Sequence, residues 1–178
     1  MHALRVSGAS KIEVEEQLKD GLYFLILHEI GHTLGLNHNM KSSQLHSPSQ
    51  LHDKSRTDKM GLTGSVMDYP AVNLALPGQK QGHYYTNRPG PYDLWAIEFG
   101  YSTRLKSDKD EQKRLEKILA RSTEPELMFG NDADDMRSSR RGIDPRAMIG
   151  DMSSDAITHA MDRIKLVDSV ENKILAKY

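Results

Sequence analysis

Apolar residues in the first quarter of the chain recur at helical spacing. They lie at separations of three, four and six residues, at Ile12, Leu18, Leu22, Leu25, Ile26 and Ile30. This pattern predicts one long helix from Lys11 to Leu36, with the apolar side packed against the rest of the protein. Ser10 is the expected N-cap, and Glu13, three residues later, completes a capping box.

Beyond that helix the pattern changes to polar segments without periodicity. Residues 37–64 are rich in Ser, His, Asn, Asp and Lys, residues 71–91 are interrupted by Gly and Pro, and both are predicted to be loops, with a turn at residues 65–70 between them. Structureless loops longer than about 12–15 residues are usually functional or disordered. A short helix over Tyr92–Phe99 follows, with Gly100 as its expected C-terminal stop.

The C-terminal part carries two further amphipathic patterns. Residues 108–121 and 153–177 are predicted to be helices, and residues 125–145 form a loop between them. The chain is therefore expected to be mainly α. We place a boundary between a first unit at residues 1–105 and a C-terminal helical extension at residues 106–178.

Composition narrows the classes of partner. The 178 residues include 24 lysines and arginines against 25 acids, so no net charge attracts nucleic acid or an anionic membrane. The absence of cysteine excludes disulfides and thiolate ligands. The longest apolar run, Leu22 to Leu27, is too short to span a bilayer. Residues 1–10 lack the charged and apolar regions of a signal peptide.

The chemistry concentrates at the end of the first helix, in the motif His28-Glu29-Ile30-Gly31-His32. Two imidazoles four residues apart on a helix share one face and can reach the same ion. Glu29 follows the first histidine and would face the open side of the metal, where a general base is needed.

Gly35 and His38 extend this motif to H-E-x-x-H-x-x-G-x-x-H. A third ligand from the same segment requires the chain to turn back sharply, and glycine permits the positive φ of such a turn. Three histidines with one open position are typical of catalytic zinc, whereas structural zinc has four protein ligands. The five fixed positions would match by chance with a probability on the order of 10⁻⁷ per start site. We therefore predict that His28, His32 and His38 bind Zn²⁺.

With these residues the chain resembles the metzincin metallopeptidases, whose motif is followed by a Met-turn. Ser65-Val66-Met67-Asp68-Tyr69 is similar to that turn. The resemblance implies that Met67 forms an apolar floor below the ligands without binding the metal. It also implies that Tyr69 lies beside the zinc and stabilises the oxyanion.

Four segments further resemble the C-terminal catalytic region of large bacterial zinc-dependent metalloproteases. They are residues 28–40, 61–69, 90–101 and 142–156. This resemblance implies an α+β fold for the intact domain, with strands ahead of the motif helix, and an extracytoplasmic location. The implied activity is endopeptidase cleavage of a protein or peptide substrate, with Glu29 as general base. The oligomeric state is left open.

Two other functions remain open from the sequence alone. The chain could be an inert zinc-binding scaffold, although a binding module has no need of Glu29, or a zinc hydrolase of non-peptide amides. Outside the motif, we expect His46, His52 and His83 on the surface and Trp95 in the core. The acids Asp132, Asp134 and Asp135 favour a solvated loop over a calcium site, because they lack the spacing of an EF-hand.

Overall fold

The computed structural model describes residues 9–135, 137 and 144–177, and this part of the chain is mainly helical with no strand. Its α-helices are α1 (Lys11–Thr33), α2 (Lys54–Met60), α3 (Pro91–Tyr101), α4 (Asp108–Leu119) and α5 (Ala156–Lys177). Single 3₁₀ turns lie at Ser42–Leu45, Pro48–Gln50, Ala120–Thr123 and Pro125–Leu127. The predicted fold class is therefore confirmed. The predicted ranges 1–105, 106–178 and 142–156 include residues outside the described part.

Helix α1 begins as predicted and ends slightly early. The Ser10 hydroxyl accepts from the Glu13 N–H at 3.2 Å, and the Glu13 carboxylate accepts from the Ser10 N–H at 2.7 Å, which completes the capping box. The helix ends at Thr33 rather than Leu36, because Gly35 adopts φ +81° and turns the chain away from the axis.

The predicted packing of the apolar side of α1 is wrong for the described part of the chain. Ile12 is 68% exposed and Leu22 58%, and the other four predicted core positions are exposed as well. The buried residues of α1 are instead Val14, Gln17, His28 and Gly31. The loops after α1 cover the histidine side of the helix, so within the described residues its apolar side contacts solvent.

Loops form much of the buried interior. In the predicted loop 37–64, Met40, Leu51 and Leu62 are at most 3% exposed, and Leu51 and Leu62 pack with Met152. This segment also contains helix α2, which the sequence pattern did not predict. Asp53 caps α2 by accepting from the Ser55 N–H at 2.9 Å. Its seven residues, KSRTDKM, show no apolar period that would have predicted a helix.

The later helices differ from the predictions at their ends. Helix α3 continues through Gly100 to Tyr101, so Gly100 is not a stop. Helix α4 gives way to a 3₁₀ turn after Leu119. Helix α5 begins at Ala156, where the Asp155 carboxylate accepts from the Thr158 N–H at 2.9 Å. Trp95 is half-buried between α3 and α4 and donates its indole N–H to the Ile118 carbonyl at 2.8 Å.

The histidines predicted to lie on the surface are structural. His46 is fully buried, with its Nε2 2.8 Å from the Gly61 carbonyl. His52 is half-buried, and its Nδ1 lies 3.1 Å from the Gly82 N–H. His83 lies between two carboxylates from α1 and α2. Each connects two segments that are separated in sequence. No helix of the described residues has the length and apolar character needed to cross a bilayer.

Candidate metal centre

The end of α1 and the turn after it bring three imidazoles together. His28 and His32 lie one helical turn apart, and the positive φ of Gly35 returns the chain so that His38 meets them. One ligand nitrogen from each ring lies within 4.8 Å of the other two. Among the described residues this is the one group of ionisable side chains close enough to share a metal ion. The predicted ligands are thus adjacent in the fold.

Each imidazole is oriented by a hydrogen bond at Nδ1. The His28 Nδ1 lies 2.8 Å from the Val66 carbonyl, and the His32 Nδ1 lies 3.1 Å from the Leu36 carbonyl. The His38 Nδ1 lies 2.9 and 3.0 Å from the two carboxylate oxygens of Asp132. Because these oxygens only accept, every Nδ1 must carry the proton, which leaves the lone pair on Nε2.

The free nitrogens show that the group fits a zinc ion. The Nε2 atoms of His28 and His38 are buried and have no protein partner. A buried polar atom without a partner costs free energy unless another group satisfies it. Burial also lowers the pKa of His28 below its ordinary value, which keeps the ring neutral and able to bind a cation. Three Nε2 atoms that face one another, each with an acceptor at the Nδ1 of the same ring, match the donor set of catalytic zinc.

Met67 lies directly against the motif helix. The side chain is completely buried, and a Cβ added to Gly31 would lie 2.2 Å from its sulfur. Gly31 is therefore needed for the close approach of the two segments. The segment that resembles a Met-turn thus packs its thioether against the motif helix between His28 and His32 in sequence.

Two buried acids hold the turn that carries Met67. Asp93, in the first turn of α3, accepts from the Ser65 hydroxyl and from the Val66 N–H at 2.9 Å. Asp68 accepts from the Ser42 hydroxyl at 2.8 Å and from the Ser43 N–H at 2.6 Å. Burial raises the pKa of both, that of Asp68 to about 7. Since Val66 also receives the His28 hydrogen bond, Asp93 contributes indirectly to the orientation of that ligand.

Tyr69 stands beside the open side of the histidine group. Its ring centroid lies 4.7 Å from that of His28 and 4.8 Å from that of His38. The side chain is 40% exposed. Partial burial, with the charges of Glu29 and Asp132 nearby, raises the pKa of its hydroxyl, so it remains a hydrogen-bond donor at neutral pH. Glu29 is exposed and close enough to influence the pKa values of both Tyr69 and His28.

A family model described as Met-zincin matches residues 11–178. The match covers nearly the whole chain, including the histidine motif, the Met67 turn and the C-terminal helices. The chain belongs to the Met-zincin family. No curated protein and no solved structure shows a significant match. The family implies a zinc ion, in agreement with the donor set of His28, His32 and His38.

Sequence reasoning missed the residues that orient the ligands of this Met-zincin. Asp132 was interpreted only as part of an acidic loop, although its carboxylate faces His38. The Val66 and Leu36 carbonyls have no side-chain signature at all. For Asp93, a Pro91-initiated helix with an acid two residues later gave a signal for helix capping, but none for contact with Val66.

The acidic loop does not form a cluster of metal ligands. Asp134 accepts from the Asn131 N–H at 3.0 Å, and Asp135 pairs with Arg137. Only Asp132 faces the histidines. Each acid thus has a different partner, and the three carboxylates do not converge on one point within the described part of the loop. The calcium alternative gains no support from this arrangement.

Proposed function

We propose that this Met-zincin is a zinc-dependent endopeptidase that acts on protein or peptide substrates. The observation that carries the proposal is the buried, partnerless Nε2 pair of His28 and His38, which lies close to a ring nitrogen of His32 and beside the ring of Tyr69. A zinc ion held there would supply a Lewis acid that activates water and polarises a peptide carbonyl. The family membership supports this chemistry.

Glu29, Tyr69 and Met67 would each have a different role in the reaction. Glu29 accepts a proton from the attacking water and delivers it to the leaving amine, as a general base and then a general acid. Its exposed position leaves room for a substrate on that side. The Tyr69 hydroxyl, kept protonated by its raised pKa, donates a hydrogen bond to the developing oxyanion. The buried Met67 excludes water from below the ligands.

Substitution of the base separates binding from catalysis. We expect Glu29→Gln to retain zinc at wild-type stoichiometry and to lose peptidase activity by at least about 100-fold, the typical contribution of a general base. The measurements are metal analysis and a chelator-sensitive assay with casein or a peptide library. Glu16→Gln is the matched control, because Glu16 is an exposed glutamate of the same helix, far from the histidines.

The outcomes discriminate the proposed function from its rivals. Activity near wild type in Glu29→Gln would contradict the assigned base. Stoichiometric zinc with no peptide cleavage, also in any longer natural polypeptide that contains this chain, would favour the scaffold. Cleavage of simple amides but not of peptides would favour a zinc hydrolase of non-peptide amides. We also propose an extracytoplasmic location, which is tested separately by fractionation of a producing cell.

A further inference from the structure

We infer that Asp132 is a positioning residue of the metal centre, which holds His38 in its ligand orientation and increases the zinc affinity of the site. The inference rests on the proposed zinc site. Asp132 lies 94 positions after His38 and supplies no ligand itself. The C-terminal half of the chain would thus complete the metal centre through one carboxylate.

The acceptor behind His38 differs chemically from those behind the other two ligands. His28 and His32 face neutral backbone carbonyls, whereas His38 faces both oxygens of a carboxylate at 2.9 and 3.0 Å. A charged acceptor forms a stronger hydrogen bond and makes the imidazole a better electron donor to a metal. Asp132 also contributes a negative charge next to a site that would hold a dication on three neutral ligands.

His38 has the greatest need of such support. His28 and His32 are fixed by the backbone of α1, but His38 follows the Gly35 turn and lies outside any helix. Its side chain is 21% exposed on the open side of the site. An orienting hydrogen bond from outside the motif therefore replaces the constraint that a helix gives the other ligands.

The segment that carries Asp132 is fastened beside His38 by its neighbours. The fully buried Asn39 donates from Nδ2 to the Met128 carbonyl at 2.9 Å and accepts from the Gly130 N–H at 3.1 Å. The Met40 N–H donates to the Gly130 carbonyl at 2.7 Å. Asn39 also donates its own N–H to the Met67 carbonyl at 2.9 Å. These bonds bring residues 128–132, the His38 segment and the Met67 turn into one framework.

The exposure of Asp132 argues against a purely structural role for this residue. Its side chain is 67% exposed, and exposed ion pairs contribute little to stability. A positioning residue and a structural residue therefore predict different results. Loss of a structural contact would lower the melting temperature of the metal-free protein. Loss of the orienting bond would lower zinc affinity and leave that temperature nearly unchanged.

The test compares zinc dissociation constants by competition with a chromophoric chelator, together with melting of the metal-free proteins. We expect Asp132→Ala to weaken zinc binding about 10–100-fold, as loss of such outer-shell partners does. Asp132→Asn keeps an acceptor without the charge and should have a smaller effect. Asp134→Asn is the matched control, because it removes the same charge two residues away while its amide oxygen still accepts from Asn131.

The possible results separate this inference from the proposed function. If the wild type binds zinc and the zinc dissociation constant of Asp132→Ala is within about twofold of the wild-type value, the positioning role is wrong and the zinc site stands. A drop equal to that of Asp134→Asn would show a general charge effect and also overturn the inference. If Asp132→Ala does not fold, Asp132→Asn decides by the same criterion. A wild-type chain that binds no zinc would overturn both proposals.

Discussion

At the scale of single residues, the contact between Gly31 and Met67 defines how closely the motif helix approaches the Met67 turn. Glycine inside a helix is unfavourable by about 1 kcal/mol relative to alanine. Here the absence of a Cβ leaves room for the Met67 sulfur, which would lie 2.2 Å from a Cβ added to Gly31. Glycine makes the helix less stable at this position, but it lets the buried Met67 side chain pack against the motif helix.

Gly31→Ala should therefore destabilise the protein, although alanine favours helix formation. We expect a loss of about 1–3 kcal/mol in unfolding free energy, typical of overpacking in a tight interior. Urea denaturation measures the change. Gly100→Ala is the matched control, since Gly100 is helical with no atom within 4 Å of an added Cβ. That variant should be neutral or gain up to about 1 kcal/mol.

A second variant links the effect to Met67. In a Met67→Ala background, the alanine at position 31 has space, so its cost should fall well below the cost in the wild type. Residues in contact commonly show such coupling in a double-mutant cycle, of about 0.5–3 kcal/mol. Additive effects would show that the Gly31 contact has another cause.

At the scale of secondary-structure elements, the sequence predicted what local patterns determine. The capping box of Ser10 and Glu13, the long helix α1 and the turn at Gly35 depend on neighbours in sequence, and all three are present. Likewise, the motif spacing alone identified His28, His32 and His38 as a group.

The errors concern long-range contacts. The apolar side of α1 is periodic, but periodicity does not say what covers it, and the described residues leave Leu22 and Ile12 exposed. The loop histidine His46 is polar and was placed on the surface, yet its bond to Gly61 buries it. Asp132 gave no signal because its partner lies 94 positions earlier in the chain.

His83 connects two helices through charge, which predicts a pH dependence. Its Nδ1 lies 3.6 Å from Asp20 of α1, and its Nε2 lies 2.6 Å from Asp58 of α2. The Asp20 carboxylate, more than that of Asp58, raises the pKa of His83 above its ordinary value of about 6.5. A neutral imidazole has one N–H and cannot donate to both carboxylates.

His83→Gln should thus cost more stability at low pH than at high pH. A folded-state pKa raised above the unfolded value contributes stability that is fully present below about pH 6.5 and is lost as the pH rises through the folded value. The measurement is urea denaturation of both proteins, at equal metal content, at pH 5.5, 7 and 8.5. The histidines whose pKa values are lowered are present in both proteins, so their contributions cancel in the difference between the two unfolding free energies. A difference in unfolding free energy that does not change with pH would contradict the interaction of charged His83 with the two carboxylates.

At the scale of the whole molecule, the metal centre gathers segments that are distant in sequence. The ligands lie between residues 28 and 38, while the groups that orient His28 and His38 come from Val66 and Asp132. Asp93 of α3 holds Val66, and Asn39 holds Gly130. An opening of any of these segments would disturb a ligand. Zinc binding should therefore stabilise regions that never touch the ion.

This coupling is measurable by hydrogen exchange. A ligand at about 100 times its dissociation constant stabilises the binding-competent state by about 2.7 kcal/mol, which corresponds to about hundredfold slower exchange through openings that break the site. We expect zinc to slow exchange at Val66, Met67 and Gly130, whose N–H groups are bonded within the framework. Residues 171–176 of α5 serve as the internal reference, because they are exposed and lie outside this framework.

The pattern of protection distinguishes a connected centre from a local one. If zinc protects residues 28–38 alone, the motif binds metal as an independent hairpin and the distant carbonyl and carboxylate contacts contribute nothing to affinity. If protection extends to residues 65–67 and 128–130 and is lost at 128–130 in Asp132→Ala, the Asp132 bond carries the coupling. The second result is expected, because His38 has no helix to fix it and, among the described residues, its side-chain hydrogen bond is to that carboxylate.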